Sequence, residues 1–262
     1  IFGIPQAYDR HRWPVAQAAY LTDAQLETLA VPDLTQNSFF QDLMTQVDQI
    51  AEQQGPVTGF VNWQGILNNA LKLRGQQIFL DLLDRPALCH RLFDCICETM
   101  IKGLQLLYEK QRSTGVDYDF ATVSNCCVNM LSPDQYAEFV LPYDMRIAQT
   151  FAAIAIHNCA WNADPYMEHY AAIPHLGYID MGLTSDLARA RELMPNARRA
   201  LMYTPMDLAH KSRETIHRDI ERIVDSYAPC DIVVADIDED VPDEKVSAFI
   251  ELCQCYNEGK KA

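Results

Sequence analysis

The residues best suited to chemistry in this chain are His157-Asn158-Cys159, which close the apolar run Ile154-Ala155-Ile156. In a strand, residues i and i+2 point to the same face, so the imidazole and the thiol are expected to converge on one point. Zinc takes N and S donors from side chains, so the spacing reads as part of a metal site. Two donors do not complete a site. The alternative for the same residues is a core histidine beside a buried, inert cysteine.

The elements that must position this pair follow from the hydrophobic pattern. Short apolar runs at 56–63, 116–123, 153–159, 176–181, 199–203 and 231–236 read as strands. Between them lie amphipathic stretches at 77–111, 134–150, 164–172, 184–194, 212–227 and 243–256, which read as helices. Ser132-Pro133 caps one of these starts, with proline in the first turn. Strand–helix alternation of this kind predicts an α/β fold with a parallel sheet. The spacing suits a TIM-like (β/α)8 barrel formed by residues 41–262, after an irregular N-terminal part, 1–40, of loops and short helices. A closed barrel needs eight strands and six are visible, so N-terminal strands are expected to be missing from this chain or to lie in its irregular part. The chain starts Ile1-Phe2-Gly3, without an initiator methionine, which agrees with a missing N-terminal piece. In such barrels, active residues stand at the C-terminal ends of strands, where His157 and Cys159 fall.

Composition narrows the function. A net charge of −15, with no basic run longer than Arg198-Arg199 or Lys260-Lys261, predicts no nucleic-acid partner. No apolar stretch approaches the roughly 20 residues of a membrane span, so no membrane is expected. The nine cysteines include the close pairs Cys95/Cys97, Cys126/Cys127 and Cys253/Cys255, unsuited to loop-closing bridges. Reduced thiols and a cytoplasmic protein are expected.

Several segments together resemble the uroporphyrinogen decarboxylase superfamily. They are Pro56-Val57-Thr58-Gly59-Phe60 through Trp63, then Phe79-Leu80-Asp81-Leu82 with Asp84-Arg85-Pro86 and a long helix. The nearest is Leu131-Ser132-Pro133-Asp134-Gln135-Tyr136-Ala137-Glu138-Phe139-Val140-Leu141-Pro142-Tyr143. The likeness spans about residues 40 to 255, and its motifs point to the superfamily rather than to one activity. It implies a TIM-like barrel. His157-x-Cys159 falls where the corrinoid-linked methyltransferase branch carries a His-x-Cys-Gly zinc motif. That branch implies zinc as cofactor and methyl transfer from a methylcorrinoid co-substrate to a small thiol. The chain departs from the branch at Ala160, which stands in place of the glycine. It also lacks a cysteine at the end of the late strand, which reads Val234-Ala235-Asp236-Ile237-Asp238-Glu239-Asp240, with Cys230 at the strand's other end.

The resemblance implies a zinc site of His157 and Cys159, with Asp236 or Asp238 as an oxygen donor in third place. The plain alternative for 236–240 is a solvated acidic loop. Asp180, in Tyr178-Ile179-Asp180-Met181-Gly182, is a candidate catalytic acid or an anchor for the turn at Gly182. Asn62, Trp63 and Gln64 are expected at the mouth of the second strand, and Asn125 and Cys126 at the end of the next. Trp63 reads as an apolar wall for a planar ligand or as a cap on the core, and for Cys126 core packing is the favoured alternative. His169 and His175 read as surface or supporting residues. No Asp-x-His-x-x-Gly corrinoid motif is present, so a corrinoid partner protein is expected as methyl donor. Two other functions remain open: metal-free decarboxylation of a tetrapyrrole acetate, which needs arginine anchors not visible here, and non-catalytic binding of a corrinoid or tetrapyrrole.

Overall fold

The computed structural model describes residues 1–257 apart from His11 and Ala18. The chain divides into two compact units, Ile1–Ile154 and Ala155–Ala262.

The first unit opens with β1 (Gln6–Asp9) and β2 (Arg12–Ala16), an antiparallel pair with Gln6 opposite Ala16 and Asp9 opposite Arg12. The irregular N-terminal part thus holds strands besides its loops and short helices. Being antiparallel in a two-stranded sheet of their own, these strands do not supply the parallel strands missing from the count. Helices α1 (Asp23–Glu27) and α2 (Ser38–Gln54) follow, capped by Thr22 and Asn37. Next come β3 (Trp63–Gln64), α3 (Ile66–Arg74), α4 (Gln77–Asp84), α5 (Pro86–Arg112), β4 (Phe120–Ser124), α6 (Pro133–Phe139) and α7 (Leu141–Thr150). β3 runs parallel to β4, with Trp63 beside Val123.

Two expected helices are each split, both at a proline. Arg85 leaves helical geometry, with φ −141° and ψ 55°, just before Pro86. The proline ring disfavours the helical region for the residue before it. Pro142 likewise starts α7 rather than continuing α6, because it lacks the N–H an interior position requires. α6 itself begins with a reciprocal cap. Ser132 Oγ accepts from the Gln135 amide at 3.2 Å, and Gln135 Oε1 accepts from the Ser132 amide at 3.0 Å.

Strand β5 (Ala153–His157) runs across the division into the second unit. That unit continues with α8 (Met167–Ala171), β6 (Leu176–Gly182), α9 (Leu187–Leu193), β7 (Arg198–Met202), α10 (Pro205–His210), α11 (Arg213–Tyr227), β8 (Asp231–Val233) and α12 (Asp243–Asn257). β6, β7 and β8 are mutually parallel, with Asp180 beside Ala200 and Ala200 beside Asp231. α11 turns Ile216, Ile220, Ile223 and Tyr227 inward at helical spacing. Each such side chain contributes about 1.5–3 kcal/mol when fully buried.

The parallel strands follow sequence order from β3 to β8, as the alternation predicted. Among the described residues they number six, short of the eight that close a (β/α)8 barrel. No described helix is long and apolar enough to cross a membrane.

Candidate metal centre at the ends of β5 and β6

His157 is the last residue of β5, and Asn158 and Cys159 open the turn beyond it. Cys159 has φ 65°, a left-handed conformation uncommon for a residue with a Cβ. The organising group for this turn is Asp180. It lies inside β6 with Ile179 and Met181 on either side, all three buried.

A buried carboxylate needs hydrogen-bond donors to offset its loss of water. Asp180 receives four. His157 Nδ1 lies 2.6 Å from Oδ2, and the Tyr178 hydroxyl donates to the same oxygen at 3.1 Å. The backbone amides of Asn158 and Cys159 donate to Oδ1 at 2.9 and 3.0 Å. With Nδ1 on the carboxylate, His157 keeps Nε2 for a ligand, the arrangement typical of metal-binding histidines. The Cys159 side chain also hydrogen-bonds His157, so imidazole and thiol do meet. Burial disfavours the imidazolium. The hydrogen bonds and negative charge of Asp180 and Cys159 outweigh it and push His157 up to about 10. A metal ion would therefore displace a proton from this ring.

The turn is held at a second point. The Gly182 amide donates to Trp161 O at 2.9 Å, and a Cβ on Gly182 would sit 1.9 Å from Ala160 O. Asn158 points away from the two donors. Its Oδ1 accepts from the Tyr170 hydroxyl at 2.9 Å, and its Nδ2 donates to Trp161 O at 3.1 Å, which ties the turn to α8. One nitrogen and one sulfur donor, with a carboxylate behind the histidine, fit zinc in kind.

Asp236 and Asp238 are placed differently from expectation. The hydrogen-bonded strand stops at Val233, so alternation does not carry to them. Both are exposed, Asp236 has φ 55°, and Asp238 Oδ1 accepts from the Asp240 amide at 3.0 Å. Neither belongs to a cluster of three or more metal-capable side chains among the described residues. The segment is the solvated acidic loop. Cys230 precedes β8, and burial pushes its thiol up to about 11. His169 is half-buried on α8, and His175 is exposed.

In the first unit, Asn62 is exposed, and Gln64 Oε1 accepts from Asn68 at 3.0 Å. The Trp63 ring lies against Gly103 of α5, where a Cβ would sit 2.8 Å from its carbons. Of the two roles considered for Trp63, this contact is the packing one. Asn125 is buried and donates to Asp144 at 2.8 Å. Cys126 is half-buried two residues past the end of β4, and the amide of Cys127 donates to Asn68 Oδ1 at 3.0 Å.

Sequence reasoning passed over Tyr178 and Asp144. Tyr178 stands two residues before Asp180 in a strand, hence on its face. Asp144 occupies an apolar position of α7 beside Tyr143, Ile147 and Ala148, a pattern that marks a buried acid.

Comparison with known proteins places this geometry in context. The family profile described as uroporphyrinogen decarboxylase (URO-D) matches residues 1–256. A methyltransferase from Methanosarcina mazei superposes with a TM-score of 0.70 at 18% identity, over 98% of this chain and 76% of that one. A B12-independent methionine synthase from a Shewanella species, solved with selenomethionine, gives a TM-score of 0.55 at 10% identity, over 83% and 67% of the two chains. At these identities the likeness is one of fold. No match was found among curated proteins.

Proposed function

Because the chain belongs to the uroporphyrinogen decarboxylase (URO-D) family, we propose that it is an enzyme of the methyltransferase kind. In this reading it moves a methyl group from a methylcorrinoid, brought by a corrinoid protein, to a small thiol. Zinc is held by Nε2 of His157 and Sγ of Cys159. The observation that carries the reading is the bond from His157 Nδ1 to Asp180, which reserves Nε2 for a metal while the Cys159 thiol meets the same ring. The methyltransferase among the similar folds points the same way.

With one further protein donor, three ligands would leave a position open for a substrate. Bound zinc would supply the Lewis acidity that converts a substrate thiol to its thiolate at neutral pH. The chain's own part is to hold the imidazole in one orientation and to keep the Cys159 sulfur in place.

Metal analysis of the purified chain tests this. About one zinc per chain is expected, with sharp loss in His157→Ala and Cys159→Ser. Methylcobalamin should be demethylated faster with the zinc-loaded protein and a thiol than with the thiol alone. Full zinc retention in both variants would defeat the reading. Release of carbon dioxide from uroporphyrinogen would replace it with the decarboxylase activity.

A further inference from the structure

We infer that Asp180 and Gly182 of β6 are positioning residues that set His157 and Cys159 in place before any metal arrives. The inference rests on the zinc reading above.

Three of the four donors that satisfy Asp180 come from one stretch of three residues. Oδ2 takes Nδ1 of His157, which fixes the rotation of the ring and leaves Nε2 as the nitrogen a metal would take. Oδ1 takes two successive amides, those of Asn158 and Cys159. Successive amides that converge on one anion bend the backbone into a concave turn, and Cys159 is left-handed there. That bend decides the direction in which Cβ and Sγ of Cys159 leave the chain. One carboxylate therefore orients both donors.

Gly182 supplies the second fixed point. It stands two residues after Asp180 and so on the same face of the strand. Its amide holds Trp161 O, and the absence of a Cβ admits Ala160 O. With Asp180 holding the front of the turn and Gly182 the back, the segment 157–161 is moulded on β6. Asp180 is thus not placed to act as the catalytic acid considered from the sequence, because both of its oxygens are engaged in holding the turn.

The test uses the full chain. Zinc affinity is measured by competition with a chelator, and cobalt substitution reports the thiolate-to-metal absorption band. Asp180→Asn preserves size and leaves an oxygen for the two amides. It sets an N–H donor against His157 Nδ1, which drives the ring proton to Nε2. Zinc affinity should fall roughly 10–100-fold, with the band retained because Cys159 is untouched. Gly182→Ala should weaken zinc at least about tenfold through displacement of Ala160. If Asp180→Asn does not fold, Asp180→Glu carries the test, since its longer side chain moves the imidazole while keeping the charge. Zinc affinity within about twofold of wild type in folded Asp180 and Gly182 variants overturns the inference. Loss of zinc in His157→Ala and Cys159→Ser with retention in Asp180→Asn overturns the positioning role alone. Retention in all of them overturns the zinc reading itself.

Discussion

Asn125 donates its side-chain amide to the carboxyl group of Asp144 at 2.8 Å, in the interior of the first unit. The Tyr136 hydroxyl donates to the same carboxyl oxygen at 2.9 Å. The other oxygens, Asn125 Oδ1 and Asp144 Oδ1, are buried without a hydrogen-bond partner among the described residues. Burial pushes Asp144 up to about 7, against the pull of Tyr136 and Asn125 toward the charged form. The native protein thus holds a neutral acid at this point well above the ordinary range.

This fixes a pH dependence of stability. The unfolded chain ionises Asp144 near its ordinary 3.8, the folded one near 7. Between those values the unfolded state binds fewer protons, so this group's contribution to stability falls as pH rises and levels off above 7. From pH 5 to 7.5 the loss is on the order of 2–3 kcal/mol. Urea unfolding of wild type and Asp144→Asn at both pH values should show this difference between the two proteins. A parallel pH response in both would refute it.

Gly65 gives a steric prediction. A Cβ there would lie 2.2 Å from Asn125 Oδ1 and 2.6 Å from Ser124 O, whereas Gly59 has open space around it. Gly65→Ala should cost about 2–3 kcal/mol, because backbone must shift to admit it. Gly59→Ala should lie within about 0.5 kcal/mol of wild type. Chemical denaturation of the two variants side by side checks the contrast.

Arg74 makes the first unit dependent on a buried charge. Its Nε lies 2.7 Å from Asp81 Oδ2, its Nη2 2.5 Å from Asp23, and its Nη1 donates to Leu21 O at 2.9 Å. Arg74→Met should cost about 1–3 kcal/mol, because the buried Asp81 then keeps only Gln77 at 3.1 Å and Arg85 at 3.4 Å. Adding Asp81→Leu should restore most of the loss. A double variant no more stable than the single one would show that the network acts through Asp23 instead.

The sequence made the parallel α/β order legible because buried parallel strands are continuous apolar runs set between amphipathic helices. Strand ends were less legible. In Asp231-Ile232-Val233-Val234-Ala235-Asp236 the apolar run outlasts the hydrogen bonding, which stops at Val233. The hairpin β1–β2 was hidden because Pro14 lies within β2, and proline argues against a strand. At the metal centre, His157 and Cys159 were paired on strand alternation, but β5 stops at His157 and Cys159 sits in a left-handed turn beyond it. Their link to Asp180 joins residues 23 apart and depends on β6 lying against the turn, which no local pattern encodes.

The left-handed backbone at Cys159 has a consequence for stability. Glycine occupies that conformation without the penalty of roughly 1 kcal/mol that a Cβ brings. Cys159→Gly is therefore expected to melt at a higher temperature than Cys159→Ser, although both lose the thiol. On stability alone, glycine is the better residue here. Calorimetry on the two variants measures how large that preference is, and equal melting temperatures would show that the neighbouring bonds to Asp180 absorb it.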